Sequence, residues 1–191
     1  NTEGIYNPFS LLNTFKNRRF GSYWFETGTP TYLVELLKKS RYNLQDMTHV
    51  ETDADVLNSI HTSSLNPIPV IYQSGYLTIK GYDKRFGLYA LGFPNEEVEA
   101  GFMKFLLPYY ANTTEVDAPF QIRQFVREVE GGDVDAFLHR MQSFFADLPY
   151  EITGGDLERH YQNVLFIVFK LMGLYTQVEY HTSEGRIDLV L

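Results

Sequence analysis

Cysteine is absent from the 191 residues. That excludes disulfide scaffolds, thiol nucleophiles and Cys-ligated zinc sites together. Long apolar runs are missing as well: the longest, Val164 to Phe169, ends at Lys170, whereas a membrane-spanning helix needs about 20 such residues. The chain starts Asn1-Thr2-Glu3, without a basic-then-apolar leader. It reads as cytoplasmic, with no signal peptide and no membrane partner. Net positive charge is lacking too. The total is −8, with residues 1–50 at +2 and residues 51–191 at −10. Lys16-Asn17-Arg18-Arg19 is the sole basic cluster, and a run that short is more often a solvated face than a grip on phosphates. The acidic bulk argues against general nucleic-acid affinity. It leaves room for a metal-dependent site, where a bound cation offsets carboxylate charge.

Aromatic residues are plentiful, with 14 Tyr and 15 Phe. They suffice for a sizeable core in one largish domain or two small ones. The surplus is most simply core, and only exposed examples, such as Tyr109-Tyr110 or Tyr23-Trp24, would mark a partner-facing surface. The five histidines (49, 61, 139, 160 and 181) form no H-E-x-x-H pattern, and no G-x-S-x-G supports a serine nucleophile.

The fold class expected is α+β, mainly helical. Pro8 opens a first helix with Phe9, Leu11, Leu12 and Phe15 as its apolar face. Thr29-Pro30 starts a second, where Tyr32, Leu33, Leu36 and Leu37 recur at helical spacing. Thr52 or Asp53 caps a short helix through Ile60, and another spans Pro67 to Gln73. Tyr76–Lys80 and Gly87–Leu91 then read as strands, with the Gly81–Arg85 turn between them making a hairpin. Helix, helix, hairpin is the order of a winged-helix module, but order alone is a weak warrant and a small α+β subdomain is the preferred reading. A boundary near residues 93–95 divides the chain into 1–93 and 94–191. Beyond it, helices are expected from Pro94-Asn95 to Pro108, from Pro119 to Val129 and from Val134 to Phe145.

The last forty residues carry the candidate chemistry. Asp156 is a helix cap and Gly173 a stop, enclosing the mostly apolar Leu157–Met172. Tyr161, Gln162, Leu165 and Phe169 follow Glu158 at +3, +4, +7 and +11, so its carboxylate is expected to open a buried stripe. Strands from Tyr175 to His181 and from Arg186 to Leu191 follow, joined by Thr182–Gly185. Asp188 interrupts the apolar second strand. Both acids have a plain structural reading: Glu158 complements the helix dipole, and Asp188 pairs with Arg186 or Arg159.

Glu158-Arg-His-Tyr-Gln on a helix, followed by a hairpin with Gly185-Arg186-Ile187-Asp188, resembles the first half of a PD-(D/E)XK nuclease-like domain. The whole chain resembles the C-terminal part of large AAA-ATPase-like proteins common in Bacteroides and relatives. That likeness rests on Tyr6-Asn-Pro-Phe-Ser-Leu-Leu-Asn, Ser22-Tyr-Trp-Phe-Glu-Thr-Gly-Thr-Pro and Gly75-Tyr-Leu-Thr-Ile-Lys-Gly-Tyr-Asp. Phe144-Phe-Ala-Asp-Leu-Pro-Tyr and the stretch from His160 to Asp188 complete the set. The resemblance implies an N-terminal ATPase domain of the same polypeptide, but no G-x-x-x-x-G-K-[ST] loop occurs here. Residues 1–93 would then be a helical, winged-helix-like region following that ATPase core. It also implies that Asp188 is the principal ligand of Mg²⁺ or Mn²⁺, that Glu158 orients the metal or its water, and that a later (D/E)-x-K activates the water. Nucleic acid is the implied substrate.

None of the seven lysines has Asp or Glu two positions before it, and the sequence stops three residues after Asp188. The chain therefore reads as a fragment cut inside the nuclease-like sheet. It is expected to be inactive alone, to hold no metal tightly, and to pair through its cut strand edge as a dimer. The competing expectation is a regulatory or protein-interaction module on an inactive nuclease-like scaffold.

Overall fold

Short polar side chains start several of the helices. In the computed structural model, which describes residues 8–19, 23, 31–59, 65–146, 155–173, 177–182 and 185–190, Asp53 Oδ1 accepts the Val56 amide at 2.8 Å. Asn95 Oδ1 accepts that of Val98 at 2.9 Å, and Asp133 Oδ1 that of Ala136 at 3.0 Å. Each bond satisfies an amide that a first helical turn leaves without an intrahelical acceptor. These caps open α3 (Ala54–Asn58), α5 (Glu96–Tyr110) and α7 (Val134–Phe144). The other helices are α1 (Pro8–Asn17), α2 (Thr31–Lys39), α4 (Ile68–Gln73), α6 (Ala118–Glu130) and α8 (Gly155–Leu171), with a 3-10 turn at Leu44–Thr48. The Thr29-Pro30 start and the Trp24 segment lie outside the described residues.

The expected hairpin is present as β2 (Thr78–Asp83) and β3 (Leu88–Gly92). Its turn sits nearer β3 than the sequence indicates. Asp83 Oδ1 accepts the Arg85 and Phe86 amides at 2.7 and 3.2 Å, and Gly87 closes the turn at φ +70°, where a side chain would strain the backbone. Gly81 lies inside β2, next to a register shift that fits one extra residue between Ile79 and Gly81. A further strand, β1 (Val50–Thr52), pairs antiparallel with β3, giving the order β1-β3-β2. Three residues are too few for alternation to announce a strand.

One buried cluster takes Leu33 and Leu37 from α2, Ile71 from α4, Leu91 from β3, Phe102 and Leu106 from α5, Phe125 from α6, Phe144 from α7 and Val164, Phe166, Ile167 and Val168 from α8. It joins residues on both sides of position 93. The Phe102 ring lies 4.8 Å from Tyr76 and 5.9 Å from Phe93, tying α5 to the start of β2 and the end of β3. Burying one such side chain contributes roughly 1.5–3 kcal/mol.

Two expectations are corrected. Pro108 does not end α5, which runs on to Tyr110. Proline there removes one hydrogen bond in the last turn, and the Ala111 amide still reaches the Leu107 carbonyl at 2.9 Å. The α1 face is not buried: Phe9, Leu11, Leu12 and Phe15 are all exposed, Phe15 by 71%. Helical spacing creates a stripe without supplying a neighbour to cover it. At the other end, Gly173 at φ +80° stops α8 as expected. No helix among the described residues is long and apolar enough to cross a membrane.

Candidate functional site

α8 is buried unevenly along its length. Residues 163, 164 and 166–169 are buried, residues 157 and 159–162 are partly covered, and Glu158 is exposed. On the stripe that carries Glu158, Leu165 packs against the core and only Phe169 is fully buried. This corrects the expected position of its carboxylate, which stands at the wet end of the helix. Spacing fixes which residues share a stripe but not where along it a neighbour stops covering it.

Asp188 occupies the fourth position of β5 (Gly185–Val190), which pairs antiparallel with β4 (Gln177–Thr182). Val178 lies opposite Leu189 and Tyr180 opposite Ile187, so the constant register sets Glu179 across from Asp188. The sequence reading did not single out Glu179. The signal was an acid flanked by Val178 and Tyr180, as far before the turn as Asp188 is after it.

Glu158 and Asp188 thus sit on separate elements. Among the described residues no three His, Asp or Glu side chains gather around one point as metal ligands. A hard divalent cation takes about six oxygen ligands, so a centre using Glu158 and Asp188 would need further donors.

The structure does gather Lys38, Tyr110 and His160. The Tyr110 and His160 rings stack with centroids 5.9 Å apart and planes 19° apart, and Lys38 Nζ lies 5.7 Å from the Tyr110 ring centre. Burial pushes the His160 imidazole below its ordinary pKa. A hydrogen bond with the Tyr110 main chain opposes that shift, and the Lys38 cation adds to it. Burial also raises the Tyr110 hydroxyl and lowers the Lys38 ammonium. Tyr110 is 5% exposed and Tyr23 7%, so both are buried and neither marks a partner-facing surface.

Asn163 was not anticipated either. It is 3% exposed, its Oδ1 accepts the Leu44 amide at 2.9 Å, and its Nδ2 donates to the Tyr42 carbonyl at 2.9 Å. It fastens α8 to the segment after α2. An amide immediately before the apolar run from Val164 was the visible signal.

Residues 156–191 match the model of a family described as the PD-(D/E)XK nuclease superfamily. Over 196 residues the chain is 33% identical to an "Uncharacterized protein in vnfD 5'region" of Azotobacter chroococcum mcd 1, an alignment covering 99% of this chain and 38% of that protein. The chain therefore spans under two-fifths of the length of that curated relative. No solved structure matches it. The segment from the first turn of α8 through β5 is where the chain is similar to the PD-(D/E)XK nuclease superfamily, and that segment holds both Glu158 and Asp188.

Proposed function

We propose that the chain is part of a longer, ATPase-coupled protein whose nuclease-like domain hydrolyses nucleic-acid phosphodiesters with a divalent metal. The supporting observation is the family match across residues 156–191, which takes in both candidate carboxylates. On this reading Glu158 and Asp188 are two of the oxygen donors, and the remainder, with the activating lysine, come from outside these 191 residues. Residues 1–93 act as a winged-helix-like region. The order α2, β1, α3, α4, β2, β3, with β1 closing on β3, supports that assignment. The ATPase coupling rests on the sequence resemblance.

The test uses the full-length protein supplied with Mg²⁺ or Mn²⁺ and challenged with DNA and RNA. Cleavage is expected, and Asp188→Ala should abolish it while leaving the circular dichroism spectrum unchanged. An intact protein that cuts neither substrate overturns the reading.

A second reading, a regulatory or protein-interaction module on the same scaffold, is favoured by the net −10 of residues 51–191. Loss of cleavage in Asp188→Ala would exclude it.

A further inference from the structure

We infer that α8 is a two-part helix: residues 157–162 form a latch that opens away from α5 while residues 163–169 stay closed. The second half is held from several directions. Asn163 bonds the Leu44 amide and the Tyr42 carbonyl, both at 2.9 Å. The next residues enter the core, and Lys170 Nζ reaches Glu99 of α5 at 2.8 Å.

The first half rests on the end of α5 through the stack of His160 on Tyr110. That contact covers two polar atoms, Tyr110 Oη and His160 Nε2, and neither has a hydrogen-bond partner. Lys38 stands over the other component of the stack, 5.7 Å from the Tyr110 ring centre. A covered donor or acceptor without a partner costs free energy that hydration returns on opening. The closed seam is therefore weakened at Tyr110 Oη and His160 Nε2, while the hydrogen bond of His160 with the Tyr110 main chain and the Phe145–Tyr161 edge contact, at 4.5 Å, oppose opening. Glu158 rides on the half that moves. That link to chemistry rests on the nuclease reading; the latch itself does not.

Amide hydrogen exchange on the full 191-residue chain tests the inference, comparing residues 159–162 with residues 165–169. The first set is expected to exchange much faster. Ordinary fraying of a helix end gives the same gradient, so the deciding variant is Tyr110→Phe, which keeps the ring and removes the orphaned hydroxyl. It should slow exchange at 159–162 about tenfold and leave 165–169 unchanged. Unchanged or faster exchange at 159–162 would show that the hydroxyl does not weaken the seam. Equal slowing in both halves would show that α8 opens as one piece. Either result overturns the latch. The readout needs no nuclease activity, so a protein that cuts nothing can still confirm it.

Discussion

The three-stranded sheet and the β4–β5 hairpin differ in how they are held. In the first, β3 is paired on both sides, Val50 and Leu91 are buried where β1 meets it, and Tyr76 and Phe93 reach Phe102 on α5. In the second, among the described residues each strand pairs only with the other. A lone two-stranded hairpin is marginal in water. The three-stranded sheet carries none of the candidate chemistry, whereas the two-stranded one carries Asp188.

The largest expected effect breaks the stronger side of this comparison. Phe102→Ala should cost about 3–5 kcal/mol, because it removes a fully buried ring and leaves a cavity where α5 meets the sheet. Urea denaturation measures it. A loss below about 1 kcal/mol would mean that the sheet is held elsewhere.

Much of this sheet was legible in the sequence. Asp53, Asn95 and Asp133 cap where their type and position indicate, and the turn residues announce the hairpin, because those signals act over a few neighbouring residues. β1 was not legible, since its identity as a strand comes from pairing with Leu91, Ala90 and Tyr89 far along the chain. The burial of Tyr110 and the exposure of Glu158 were equally hidden, because both depend on how far α5 and α8 overlap. At the candidate site, residue identities were legible and their assembly was not.

Asn163→Ala sharpens the comparison from the helix that leads into the hairpin. It strands the Leu44 amide and the Tyr42 carbonyl, and should cost about 1–3 kcal/mol. Thermal unfolding checks this. A neutral result would mean that water reaches both groups once the amide is gone.

Acid is expected to act on the same helix through His160. In the unfolded chain this imidazole titrates near 6.5, and in the folded chain burial and Lys38 hold it lower. Between those two values the unfolded state binds more protons. Stability therefore falls as pH drops below about 6.5, and this loss ends once the folded pKa is passed. Above that window His160 contributes no pH dependence. Melting temperatures at neutral and mildly acidic pH, for the natural chain and for His160→Leu, isolate the effect. The variant should lose less on acidification, and an identical loss would assign the acid sensitivity to other groups.

The smallest effect belongs to the two-stranded sheet. Directly opposed residues in an antiparallel ladder have close Cβ atoms, and like charges there are unfavourable. The register sets Glu179 opposite Asp188, so Glu179→Gln should stabilise the hairpin by roughly 0.2–1 kcal/mol at neutral pH. The gain should fade as salt screens the pair. Amide exchange within residues 177–182 and 185–190, measured with a chelator present, reads it locally. Asp188→Asn should give a similar gain, and the double variant less than the two combined, because either change alone removes the repulsion. Slower exchange in Glu179→Gln would confirm that the two acids oppose each other across the ladder, as the register implies. Faster exchange would mean instead that the pair shares a proton or a favourable contact, and would place part of the hairpin's hold in the two acids themselves.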